Sequence, residues 1–188
     1  LPRNLDITRS HEHRQLRIVL MGLLATVLSA CADEALLTPL NWSKADNRIV
    51  TIADLAYGTD ARQKLDIYRP QSARPAPVML FWHGGAWQHG DKDYYRFVGA
   101  SLARRGFLAI LPDYRLAPEH PFPAFVEDAA SAVRWTRDHA AHHGGDPDQI
   151  YISGHSAGGH SALMLALDPQ DLRAVGLAPA EVARGVSL

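Results

Sequence analysis

Apolar and polar positions change their period several times along this chain, and each change marks an element. Arg48-Ile49-Val50-Thr51-Ile52-Ala53 reads as a strand, and Gly58-Thr59-Asp60 as a turn. Lys64 to Tyr68 alternates and then meets Pro70, which suits an edge hairpin partner because proline cannot donate to a ladder. Pro77 to Trp82 and Phe107 to Leu111 are continuous apolar runs, as expected of strands covered on both faces. Between them, Tyr94 to Arg105 follows a helical period, with Val98 and Leu102 on one face and Gly106 as its stop. Phe125 to His143 is the longest helical pattern. Val126, Ala129, Val133 and Ala140 fall near one face, and Gly144-Gly145 ends it. Gln149 to Ser153 is a further strand, and Ser161 to Leu167 a helix-permissive run. An antiparallel start followed by alternating strands and helices predicts an α/β fold with a doubly wound, mostly parallel sheet. There is no internal repeat.

The chain has 188 residues, a formal net charge of -1 and a hydrophobic share of 47%. These values suit one domain with a sizeable core. Near-neutral charge gives no electrostatic case for nucleic acid. The single cysteine excludes an internal disulfide. No cofactor is expected. His139, His142 and His143 lie near a helix end, but their spacing is not a zinc signature.

The first forty-seven residues have a different character. Leu1 to His13 is polar and without period. Arg14-Gln15-Leu16-Arg17 is basic, and Ile18 to Leu28 is apolar, in the range of a signal-peptide core and too short to span a bilayer. Leu28-Ser29-Ala30-Cys31 follows, and it resembles the lipobox of bacterial lipoproteins. The resemblance implies a lipid on Cys31, which becomes the mature N-terminus, and hence attachment to the bacterial cell envelope. Ala32 after the cysteine favours the outer membrane. Residues 1–30 are then an upstream extension and signal peptide, 31–47 a tether, and 48–188 the α/β domain. A buried helix with an incidental cysteine and an unlipidated spanning anchor are the competing readings.

Two stretches carry chemistry. Gly154-His155-Ser156-Ala157-Gly158-Gly159 lies between a strand and a helix, the setting of a nucleophile elbow. There the serine occupies a strained turn, and a Cβ at Gly154 or Gly158 would collide with neighbouring backbone. Upstream, the strand ending at Trp82 runs straight into His83-Gly84-Gly85-Ala86-Trp87. With Asp113-Tyr114-Arg115-Leu116-Ala117-Pro118-Glu119-His120-Pro121-Phe122-Pro123-Ala124 and Gly144-Gly145-Asp146-Pro147, these stretches resemble the α/β-hydrolase esterases of the carboxylesterase and hormone-sensitive-lipase-like group. The resemblance covers about Asn47 to Leu188.

It implies that Ser156 is the nucleophile and that the backbone N–H groups of Gly84, Gly85 and Ala157 form the oxyanion hole. Ala86 stands where many relatives have a third glycine, which narrows the acyl side. His83 braces the oxyanion loop, His155 points away from the Ser156 hydroxyl, and His120 packs in its loop. Asp113 and Arg115 brace the strand exit, while Glu127 and Asp128 suit the start of a helix. Trp87, Tyr94 and Tyr95 either line the pocket or pack the core. In this group the triad runs Ser, then Asp or Glu, then His. Only thirty-two residues follow Ser156, so no triad acid or base is assigned, and the fold is expected to be truncated after the elbow helix. The short tether leaves little room for a helical cap. The expected activity is hydrolysis of short-chain or aryl carboxylic esters. The alternatives are an arylformamidase-like amide hydrolase and, for the chain as it stands, a non-catalytic lipoprotein.

Overall fold

In the computed structural model, residues 41, 47–71, 75–168, 170–178, 180 and 182 are described. All of them belong to the compact unit Leu40–Leu188. Cys31, the signal-like stretch and most of the tether lie outside the described residues.

Five strands form one sheet: β1 (Ile49–Ala56), β2 (Lys64–Pro70), β3 (Ala76–Trp82), β4 (Leu108–Pro112) and β5 (Gly145–Gly154). Their order is β1-β2-β4-β3-β5. β1 pairs antiparallel with β2, and β2 antiparallel with β4. β4, β3 and β5 are parallel, with Leu80 opposite Ile110 on one side and Ile152 on the other. Four helices connect and cover them: α1 (Arg96–Arg104), α2 (Ala124–His139), α3 (Ala157–Leu167) and α4 (Gln170–Ala174). A 3-10 turn, Lys92–Tyr95, leads into α1, and another, Ala140–His143, follows α2. Gly144, at φ +82, then turns the chain into β5.

The two faces of β2 show why the sheet is wound from both sides. Leu65 and Ile67 belong to the main core, together with Val78, Leu80, Ile110, Ile152 and the α2 residues Phe125, Val126, Ala129 and Val133. Tyr68, on the opposite face by the two-residue period of a strand, meets α1. A Cβ on Gly99 would lie 2.4 Å from the Tyr68 ring. This corrects the expected face of α1. Its buried positions are Gly99 and Ala103, and Val98 and Leu102 are only half-buried. A bulky ring on the sheet selects the small residues of the helix, because interiors are close-packed.

β2 also departs from expectation. The edge strand is β1; β2 is internal. Its polar position Asp66 is buried at 2% exposure, where its Oδ1 lies 3.0 Å from Lys92 Nζ. The same Oδ1 accepts from the Asp54 N–H at 2.9 Å. Burial works against the Lys92 ammonium, but hydrogen bonds to Asp54 and Asp66 outweigh it and raise its pKa overall. Pro70 sits at the end of β2, opposite Ile49 of the edge strand, where its missing N–H does no harm.

Candidate active site

β5 delivers the chain to Gly154, and α3 starts at Ala157. Between them Ser156 adopts φ 51, ψ -112, a conformation that costs a residue with a side chain roughly 1–3 kcal/mol. The turn survives because its surroundings leave no alternative. A Cβ on Gly154 would sit 2.4 Å from the Gly158 carbonyl carbon, and one on Gly158 would sit 2.3 Å from the Trp82 oxygen. Backbone meets backbone at both places, so neither glycine can be replaced by local adjustment. The His155 N–H donates to the Trp82 carbonyl at 3.0 Å, the Gly158 N–H to the His155 carbonyl at 2.9 Å, and the His160 N–H to the Ser156 carbonyl at 2.9 Å. Ser156 is exposed, and among the described residues no side chain hydrogen-bonds its hydroxyl.

The loop after β3 abuts this turn. His83 is buried at 1% exposure. Its Nδ1 lies 2.7 Å from the Gly84 carbonyl oxygen and its Nε2 lies 3.2 Å from Asp113 Oδ1. Its ring stacks on Tyr114 at 4.3 Å, and the Tyr114 hydroxyl donates to the His83 carbonyl at 3.0 Å. Asp113 Oδ1 accepts further from the Lys92 N–H at 2.8 Å and from Arg62 Nη2 at 3.4 Å. His83 therefore acts as a brace. Its ring is enclosed by the strand exit and the 3-10 turn.

Gly85 has φ +128, and a Cβ there would fall 2.0 Å from the His89 carbonyl oxygen. Ala86 and Trp87 follow at φ 51 and φ 61, so the loop runs through three successive positive-φ residues. Among the described residues, the N–H groups of Gly85 and Ala157 meet no acceptor. Gly84 differs from its expected role. It is buried, and its N–H points inward at Tyr95 Oη, 3.4 Å away. Of the three expected oxyanion donors, two are uncommitted and the third is held by a tyrosine.

Tyr95 is the site residue that sequence reasoning left undecided. Its hydroxyl also lies 2.8 Å from His155 Nδ1, so His155 is turned to this tyrosine. Trp87 packs against Phe125 at 5.5 Å and meets the His160 ring edge-on at 5.3 Å, and its carbonyl accepts from the Ala117 N–H at 2.8 Å. Tyr94 contributes its carbonyl to Asn41 Nδ2 at 3.0 Å. Ser153 and Ser161 are buried. His120 Nε2 lies 3.7 Å from Asp60 Oδ2 in its loop, and His139 stacks on Trp135 at 4.4 Å. Among the described residues, no group of three His, Cys, Asp or Glu side chains could hold a metal ion.

Arg115 and Asp113 brace separate parts of the structure. The Arg115 Nη2 is 2.7 Å from Asp128 Oδ1, its Nε donates to the same carboxylate at 2.9 Å, and its backbone N–H donates to Asp128 Oδ2 at 2.8 Å. Asp128 is fully buried and also accepts from Gln63 Nε2 at 2.7 Å. The expectation that Asp128 merely serves the helix dipole is corrected: it ties the loop after β4 and the turn after β1 to α2.

The family model BD-FAE matches residues 65–176 of the chain. The chain is 38% identical over 118 residues to esterase LipC of Mycobacterium tuberculosis, covering 61% of this chain and 29% of that protein. It is 39% identical over 108 residues to carboxylesterase NlhH of the same species, covering 56% and 34%. It thus spans about a third of the length of these curated relatives. Esterase B of Lactobacillus rhamnosis superposes with a TM-score of 0.72 at 23% identity, covering 88% of this chain and 55% of that one. That likeness shows the fold alone, which is the α/β-hydrolase fold.

Proposed function

We propose, since this chain belongs to the BD-FAE family, that it carries the nucleophile and oxyanion hole of a serine carboxylesterase. The observation that carries the reading is Ser156 itself. It is exposed at φ 51 on the strand-to-helix turn, next to the uncommitted Ala157 N–H, and the loop that bears the Gly85 N–H abuts that turn. A serine hydroxyl is a weak nucleophile at neutral pH and needs a base to take its proton. In the proposed reaction Ser156 Oγ attacks the ester carbonyl. The developing oxyanion is held by the N–H groups of Gly85 and Ala157, with α3 adding the positive end of its dipole. The alcohol leaves, and water then releases the acid from the acyl-enzyme. The base and its orienting acid are not assigned to any described residue. Short-chain or aryl esters are the proposed substrates.

The test uses the protein at its natural length and a fluorophosphonate, which phosphonylates activated serines. Peptide mass spectrometry is expected to place the adduct on Ser156. An adduct on Ser153 or Ser161, or no adduct at all, would sink the reading. Attachment through a lipid on Cys31 is a separate proposal, supported by the order of basic, apolar and small residues before that cysteine. Cys31→Ala is expected to release the protein from membranes; persistent sedimentation with the membrane fraction would refute it.

A further inference from the structure

The oxyanion loop and the elbow are held together at their bases by backbone. The His155 N–H reaches the Trp82 carbonyl, and Gly158 packs against the Trp82 and His83 oxygens. Beyond His83, however, the loop turns away through its positive-φ residues, and the uncommitted Gly85 N–H follows directly on Gly84. The direction of that N–H depends on how Gly84 is fixed.

Resting on the acyl-transfer reading above, we infer that Tyr95 is a positioning residue for the oxyanion hole, locking loop to elbow through one directed chain of hydrogen bonds. The Gly84 N–H can only donate, so Tyr95 Oη accepts it. Tyr95 Oη also lies 2.8 Å from His155 Nδ1. In the proposed chain the hydroxyl donates to Nδ1, and the ring N–H of His155 is Nε2. Each bond polarises the next: a hydroxyl that donates to an imidazole is a stronger acceptor for the Gly84 N–H.

The hydroxyl cannot wander. Tyr95 is 7% exposed, and its ring lies 5.4 Å from Phe81 and 6.2 Å from Phe97. The 3-10 turn that carries it is fixed at its start, where Asp91 accepts from the Asp93 N–H at 2.8 Å and the Lys92 N–H is bound to Asp113. Space around the chain is closed too: a Cβ on Gly84 would fall 2.6 Å from His155 Nδ1. The tyrosine thus takes the loop's inner N–H, and the Gly85 and Ala157 N–H groups remain for the substrate oxygen.

The experiment has two independent readouts on the protein at its natural length. Nitrogen-15 NMR of labelled histidine is expected to show His155 Nδ1 unprotonated in the native protein. Tyr95→Phe keeps the ring and removes the hydroxyl. It is expected to lower kcat for a simple ester about tenfold with little change in KM, since the oxyanion forms only in the transition state. His155→Leu should behave likewise, and His155→Asn, whose amide oxygen replaces Nδ1 as acceptor, should recover most of that loss. A protonated Nδ1 in the native protein, or a Tyr95→Phe enzyme with native kcat, overturns the inference. If the native protein neither turns over ester nor takes a fluorophosphonate, it is the acyl-transfer reading that fails; the positioning role falls with it, whereas the NMR readout still decides whether the hydrogen-bonded chain runs as stated.

Discussion

Ser156→Ala is expected to lower ester turnover by about six orders of magnitude, the scale seen when the nucleophile of a serine hydrolase is removed. The fold should hardly notice. Ser156 is exposed and makes no side-chain hydrogen bond to a described residue, so an alanine loses no partner. Both residues carry a Cβ, so the cost of φ 51 is about the same for each. The thermal midpoint is therefore expected to stay close to native while chemistry disappears. What remains should be the modest acceleration that binding and an oxyanion hole give without a nucleophile. The measurement is kcat with 4-nitrophenyl acetate, together with a melting curve. A variant that keeps more than about a hundredth of native turnover would remove Ser156 from the mechanism. The neighbouring glycines make the contrast. A Cβ at Gly158 would strike the Trp82 carbonyl, so a change there loses fold and activity together and says nothing about chemistry.

The parts of this structure that were legible in the sequence are those set by local pattern. Continuous apolar runs gave β3 and β4, although only β4 is buried on both faces; β3 leaves Pro77, Met79 and Phe81 half-buried. The glycines around Ser156 announced the elbow, because only a crowded strand-to-helix turn excludes every Cβ there. What stayed hidden was set by partners far along the chain. Asp66 gave β2 the alternation of a half-exposed strand, yet the ammonium that allows its burial belongs to Lys92, twenty-six residues away. Val98 and Leu102 looked like the inner face of α1, but Tyr68 leaves room only for Gly99 and Ala103. The His83–Trp87 motif marked the loop that abuts the elbow without revealing the direction of its N–H groups. The Gly84 N–H is aimed by the Tyr95 hydroxyl, and no spacing in the motif encodes that. Asp113 and Arg115, two residues apart, invited a shared role. Their side chains leave in different directions, one to His83 and the other to Asp128.

That last separation leads to the second large effect. Arg115→Met is expected to destabilise the domain by about 3 kcal/mol, the lower end of what breaking a buried ion pair costs. The lower end applies because the Arg115 side chain keeps 23% exposure while Asp128 has none. The damage comes from the carboxylate left behind: Asp128 would retain Gln63 Nε2 and the Arg115 backbone N–H but no counter-charge. For a domain of this size the melting midpoint should fall by roughly 6–12 °C. Removing both charges, in Arg115→Met with Asp128→Asn, should restore part of the loss, because no charge is left to desolvate and the amide oxygen can still accept from the donors that Asp128 holds. A double variant no more stable than the single one would show that packing, not charge, governs the site. The pair also reaches the chemistry. The loop it anchors donates the Ala117 N–H to the Trp87 carbonyl, and Trp87 is the last residue of the oxyanion loop. Ester turnover in Arg115→Met should therefore drop at temperatures well below its melting midpoint, as the Gly85 N–H loses its fixed direction before the core unfolds.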